Sequence, residues 1–143
     1  METAAGVVDV KSSPVYFHVQ RNTTYSVTGT IPFQIVQSNV GGGMNITSGI
    51  FTAPQSGTYF FSFTGLKDGS DNALRMDLYY NSNQITRAEG AAVAGLFTAT
   101  LSSTLSLKSG DQISLQLISG ALFDGYAKAT NFNGILLQEE VLL

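Results

Sequence analysis

Gly57-Thr58-Tyr59-Phe60-Phe61-Ser62-Phe63 is the stretch from which the fold can be read. Tyr59, Phe61 and Phe63 alternate with Phe60, Ser62 and Thr64. An extended strand therefore lays a continuous row of rings along one face. The turn-forming run Pro54-Gln55-Ser56-Gly57 feeds into it. A ring-lined face must be buried against a second layer, which puts this strand at the centre of a β-sandwich. Working outward, further strand-like runs rich in Val, Ile, Thr, Tyr and Phe fall at 15–21, 73–80, 96–107, 112–118 and 131–137. Segments 38–49, 67–72 and 119–130 are dense in Gly, Asn, Ser and Asp and read as turn and loop. No stretch has the period of a long helix. There is no solenoid repeat and no Gly-X-Y tract.

The composition narrows the options. At 143 residues the chain suits one domain, large enough to bury roughly two thirds of its unfolded surface. Residues 1–13 lack periodicity and read as a flexible N-terminal arm, leaving 14–143 as the globular domain. Charged residues are only 12% of the chain, about half the usual share. The surface must then be largely uncharged and polar, or partly covered by other subunits. The net charge is -3, and the seven Lys and Arg residues are scattered, which argues against a nucleic-acid partner. With no cysteine, disulfides and thiolate chemistry are excluded. No membrane span is visible, and the N-terminus lacks the basic and apolar regions of a secretory leader. If the natural protein is secreted, Met1 is not its natural start.

A longer pattern surrounds the aromatic strand. Phe33, Asn39, Met44 and Phe51 precede Gly57, Tyr59, Phe61 and Phe63 at fixed spacing. That spacing resembles the signature of the C1q-like globular domain, a relative of tumour necrosis factor. Met44 departs from it, standing where the family prefers an aromatic or Leu, a change that a flexible apolar side chain absorbs. Pro14-Val15-Tyr16-Phe17-His18-Val19-Gln20-Arg21, Leu107-Lys108-Ser109-Gly110-Asp111-Gln112-Ile113 and Phe132-Asn133-Gly134-Ile135-Leu136-Leu137 resemble the same family, in the expected order. The resemblance implies a ten-stranded antiparallel jelly roll that assembles as a trimer, with the inner sheets of three protomers around a three-fold axis.

Both faces of two strands are apolar: Phe60 opposes Tyr59, Phe61 and Phe63, and Ile135 and Leu137 oppose Phe132 and Leu136. One face of a monomer sheet should be wet, so a second chain is expected to cover the other. The alternative is that Phe60 and Phe132 only extend a monomer core under a loop. Carrying the family arrangement across puts Tyr16, His18, Phe60, Ser62, Thr100, Phe132 and Leu136 on the trimer side. Val15, Phe17, Val19, Tyr59, Phe61, Phe63, Leu105 and Ile135 then fall in the core, and Phe132→Asp is expected to break assembly.

Catalysis has no candidate constellation. His18 is the only histidine, and with no cysteine a zinc site is not expected. Ser56 lacks the flanking pattern of a nucleophile elbow. Several family relatives carry calcium, which makes Asp68, Asp71 and Asp124 candidate ligands; the full calcium-loop ladder is missing, and Asp-Gly is common in any turn. Asn22-Thr23-Thr24 and Asn45-Ile46-Thr47 are glycosylation triplets in segments read as loops.

The family resemblance implies a secreted, extracellular homotrimer that recognises glycans or other patterned ligands, lectin-like or innate-immune in role. Tyr79, Phe123 and Tyr126 are candidate ligand-stacking residues, equally readable as loop packing. A second reading is an extracellular assembly or receptor-binding signalling protein whose head trimerises a stalk. A third is a structural matrix component.

Overall fold

The computed structural model describes residues 13–140; apart from Ser13, the expected N-terminal arm lies outside the described residues. The strands, in chain order, are β1 Tyr16–Tyr25, β2 Gly29–Thr30, β3 Ile35–Val40, β4 Met44–Asn45, β5 Ile50–Thr52, β6 Gly57–Lys67, β7 Leu74–Tyr80, β8 Asn83–Gly90, β9 Phe97–Leu107, β10 Gln112–Ser119 and β11 Leu122–Glu139. One sheet runs β3-β1-β11-β6-β9 and the other β4-β5-β10-β7-β8, with β2 also paired to β10. All pairings are antiparallel. This is the antiparallel sandwich the aromatic strand calls for, with the two-residue β2 and β4 bringing the strand number to eleven.

Rings fill the space between the sheets. Phe17 meets Phe51 and Phe132 with centroids 5.1 and 5.0 Å apart, and Phe132 stacks on Phe33 at 5.8 Å. Phe51 meets Tyr59 and Phe61 at 5.6 and 5.7 Å. Such contacts add about 0.5–1.5 kcal/mol per pair beyond the area they bury. Tyr59 can sit fully buried because its hydroxyl donates to the Gln55 carbonyl at 2.7 Å. Asn39 secures the upstream loop: its Nδ2 donates to the Met44 carbonyl at 2.8 Å, and its Oδ1 accepts the Met44 N–H at 3.2 Å.

The register shows which way each residue of β11 points. Phe132 lies between Val19 of β1 and Phe63 of β6, and Gly134 lies between Phe17 and Phe61. A methyl group added at Gly134 would collide with the Phe17 ring, so this face of β11 is the side on which Phe17 packs. Phe132 is accordingly fully buried in its own chain's core, and Leu136 packs against that core. Ile135 points the other way, beside Tyr16 and Phe60, and is 42% exposed. This corrects the expected placement of Phe132, Leu136 and Ile135: alternation groups residues by face, and only the cross-strand neighbours say which face is inside.

The other sheet turns a polar face to solvent. Met76, Leu78 and Ala88 are buried, while Arg75 pairs with Glu89 and Asp77 with Arg87 across β7 and β8. Arg87 grips the Asp77 carboxylate at two points, 2.7 and 3.0 Å, and Arg75 Nε reaches Glu89 at 3.1 Å. The β9–β10 turn is locked by Asp111. Its carboxylate accepts the Lys108 N–H at 2.8 Å and the Tyr80 hydroxyl at 2.7 Å.

Phe132→Ala should cost about 3–5 kcal/mol of unfolding free energy in a denaturant melt, and Phe132→Asp should abolish folding rather than release folded monomers, as read by circular dichroism. The Lys108 amide and then the Tyr80 hydroxyl hold the Asp111 carboxyl below its usual range. A depressed folded pKa contributes stability that is complete above about pH 4, the unfolded value, and is lost as pH falls through the lower folded value. Thermal melts of Asp111→Asn should therefore lose less stability than those of the parent chain below that pH.

Candidate functional site

Two regions could meet another molecule. The first is the outward face of the β3-β1-β11-β6-β9 sheet. Val40, Tyr16, Ile135, Phe60 and Thr104 form one row across it, and Ser38, His18, Asn133, Ser62 and Ser102 form the next. Thr64 and Thr100 pair further along the same face. Tyr16 is 40% exposed and Phe60 37%, with Ser38, His18, Ser62 and Asn133 beside them around a shallow depression of about 320 Å³. Neither row contains a charged residue. Tyr16, His18, Phe60, Ser62 and Thr100 thus share one surface, which Phe132 and Leu136 do not reach.

The lone histidine is part of a fixed network on this face. Asn131 Nδ2 donates to the Lys128 carbonyl at 3.0 Å, which turns Asn131 Oδ1 toward Gln20 Nε2 and His18 Nε2, each 2.8 Å away. Gln20 Oε1 in turn accepts from Gln37 Nε2 at 2.8 Å. Since Asn131 Oδ1 can only accept, this contact requires the proton on His18 Nε2. Ser38 lies beside His18 in the register, yet among the described residues the ring's hydrogen bond goes to Asn131 and to no serine. Ser56 Oγ is engaged elsewhere, accepting the Ser109 N–H at 2.9 Å.

The second region is the end of the sandwich where 68–73, 91–96, 119–121 and the bulge 124–130 gather. Lys67, fully buried, sends its ammonium under the 68–73 loop, donating to the carbonyls of Asp68 at 2.9 Å, of Ser70, and of Gly95 at 3.5 Å. Its stem needs Gly90 beside it, since a methyl there would lie 2.9 Å from Lys67 Cβ and Cδ. Asp124, also buried, organises the bulge. Its carboxylate accepts the N–H groups of Ala127, Ala129 and Thr130 at 3.0, 2.8 and 3.2 Å. Tyr126 and Lys128 are held at φ 66° and 56°, in the left-handed region that non-glycine residues rarely adopt. Tyr126 stands 79% exposed at the tip.

The remaining sequence candidates scatter. Tyr79 lies within β7 on the outer face of the opposite sheet, and Phe123 sits half-buried at the start of β11, so neither joins Tyr126 in a loop cluster. Among the described residues no three Asp, Glu or His side chains converge as a metal site. Asp124 is taken by amides, Asp68 accepts the Ser70 hydroxyl at 2.7 Å, and Asp71 is exposed on its own. Carbonyl oxygens of the kind that hold hard cations do converge here, but on the Lys67 ammonium. The two glycosylation triplets begin in strands, not loops: Asn22 in β1 and Asn45 in β4, where Asn45 Oδ1 accepts the N–H groups of Thr47 and Ser48. Sequence reasoning missed Lys67. A basic residue ending an aromatic strand, followed by Asp68 and Gly69, gives no sign that it turns inward.

An all-β sandwich with one charge-free, partly apolar outer face and a loop-built end defines a jelly-roll head of the kind shared by complement and tumour necrosis factor proteins. The C1q domain model matches residues 16–137, and the chain belongs to that family. It is 31% identical over 110 residues to human complement C1q tumor necrosis factor-related protein 3, a match covering 76% of this chain and 45% of the relative. Zebrafish (Danio rerio) Caprin-2 is 33% identical over 113 residues, covering 77% of this chain and 12% of the relative. The chain thus spans less than half the length of these relatives. Among solved structures, the globular domain of zebrafish complement 1qA superposes with a TM-score of 0.74 at 20% identity, covering 88% of this chain and 99% of that one. Murine APRIL superposes at 0.64 with 14% identity, covering 87% and 99%. Likeness at these identities is one of fold.

Lys67→Met keeps the buried stem and removes the ammonium, leaving carbonyls of both loops unmet. The expected cost is about 2–3 kcal/mol, with faster hydrogen exchange at the amides of 68–72 and 93–95 while those of Phe61 and Phe63 keep their protection.

Proposed function

We propose that this domain is a homotrimeric, extracellular recognition module in which three copies close the Tyr16–Phe60–Ile135 faces on one another and present loops outward to a glycan or other patterned ligand. The contrast between the two outer faces carries the reading. The β7–β8 face is laced with ion pairs and suits water. The opposite face has exposed Tyr16, Phe60, Ile135 and Leu137 in their place. A single chain does not ordinarily leave such a face open. Family membership favours a second and third copy of the same chain as the occupant. No described helix is long and apolar enough to cross a membrane. Binding rather than catalysis fits a surface whose histidine is bonded to Asn131 and, among the described residues, to no serine.

Three weak sites on one rigid head gain effective affinity on a repetitive surface without any deep pocket. That favours patterned ligands such as polysaccharide. The receptor-binding alternative draws on Tyr126. A ring raised on a strained, internally braced loop resembles the aromatic anchors of protein interfaces.

Light scattering of the purified domain at micromolar concentration should give a particle three times the chain's 15.2 kDa. Ile135→Asp should give a folded monomer with the thermal midpoint of an isolated subunit. A wild-type particle of one chain mass would overturn the assembly. Glycan arrays set against receptor pull-down separate the two ligand classes: saturable binding to sugars supports the first reading, and a nanomolar protein partner with no sugar binding supports the second.

A further inference from the structure

At the loop-built end, Ser26, Asp68, Asn72, Arg75, Ser119 and Gly120 line an open cleft of about 550 Å³. The cleft is firmly held. Asp68 N–H donates to the Ala121 carbonyl at 3.3 Å, and the Ser119 hydroxyl donates to the Ala73 carbonyl at 3.3 Å. Gly120, at φ 80°, lets the β10–β11 turn pass against the backbone of Ala73, where a side chain would collide. The Lys67 ammonium braces the 68–73 loop from beneath.

Several polar groups of this cleft keep unused hydrogen-bonding capacity. Lys67 takes the backbone oxygen of Asp68, not its carboxylate, and that carboxylate accepts only the Ser70 hydroxyl, through Oδ1. Arg75 bonds Glu89 through Nε, while its two Nη groups have no partner among the described residues. The same holds for the Asn72 side-chain amide and the Ser26 hydroxyl. Asp68 and Arg75 share the cleft without forming an ion pair. The cleft thus offers a guanidinium fork at one point and a mixed donor and acceptor set at others, in a groove open to solvent.

We propose that this cleft binds the carboxylated sugar units of an acidic polysaccharide, with the carboxylate on the Arg75 Nη fork and ring hydroxyls donating to Asp68 Oδ2 and bonding Asn72 and Ser26. A planar carboxylate matches two parallel guanidinium N–H groups. Vicinal hydroxyls match an acceptor-only carboxylate beside a bifunctional amide. The inference rests on the glycan reading of the domain and adds to it a site and a sugar class. It uses none of Tyr79, Phe123 or Tyr126.

The test is a titration of the isotope-labelled domain, as it assembles in solution, with methyl glucuronide, methyl glucoside and acetate, followed by amide chemical shifts. Methyl glucuronide should shift amides of 68–73 and 119–121, and the neutral glucoside should bind roughly tenfold more weakly, the worth of one charge-assisted hydrogen bond. Acetate at equal concentration should leave those amides in place. Arg75→Gln should remove the preference for the uronide. Glu89→Gln, which breaks the same ion pair from its other side, should retain it. Equal shifts with acetate would mean an anion spot only and would overturn the proposal, as would uronide shifts confined to other loops. If arrays detect neutral glycans while glucuronide leaves the cleft silent, the cleft assignment fails and the glycan reading stands. If no sugar binds anywhere, both fail.

Discussion

The contact between Phe17 and Phe132 underpins the rest of the sandwich. It joins β1 to β11 through an edge-on ring pair inside the core, and Phe33, Phe51 and Phe61 close around it from both sheets. Gly134 makes it feasible by leaving room beneath the Phe17 ring. Because β1 and β11 lie side by side near the middle of one sheet, fixing their inner faces fixes their outer faces too. Tyr16 and Ile135 are turned outward for the same reason that Phe17 and Phe132 are turned inward. The surface proposed for assembly is thus a consequence of core packing.

That coupling explains how far the fold was legible. Tyr59, Phe61 and Phe63 declared their face because Gly57 and the turn before it set the strand's start, and Ser62 and Thr64 marked the wetter side. In 132–137 no polar residue alternates cleanly: Phe132, Ile135, Leu136 and Leu137 are all apolar, so the pattern left the inside undetermined and the family analogy resolved it the wrong way. The decisive clue was Gly134, whose missing side chain has meaning only once Phe17 lies across from it. β8 escaped notice for the opposite reason. Asn83, Gln84, Arg87 and Glu89 hide it, because a strand with a largely polar outer face has few apolar residues to show.

The loop-built end was less legible still. Its order comes from buried polar residues whose partners are backbone groups, and backbone groups have no sequence signature. Asp124 looked like a calcium ligand because relatives of the family carry calcium, yet its oxygens face three amides of its own bulge. Lys67 looked like one more scattered cation. Each does internally what a bound ion does in other loops, drawing dipoles toward a fixed charge. A single-sequence reading registers both charges and cannot tell that both are already satisfied.

The placement of charge has a further consequence for the proposed activity. Lys67 and Asp124 are buried with backbone partners, and Asp77 is buried in the grip of Arg87, so these charges add nothing to the loop surface. On a chain with so few charged residues, the groups left free there carry disproportionate weight. Arg75, held by one edge to Glu89, keeps its fork open because the partner engages Nε instead of both Nη groups. Asp68 keeps one oxygen open because Lys67 is spent on carbonyls. A buried lysine that bonded the carboxylate instead would have neutralised the cleft. The bracing that makes the loop rigid is therefore also what leaves it chemically available, and repetition around a three-fold axis would turn one modest cleft into three at fixed spacing.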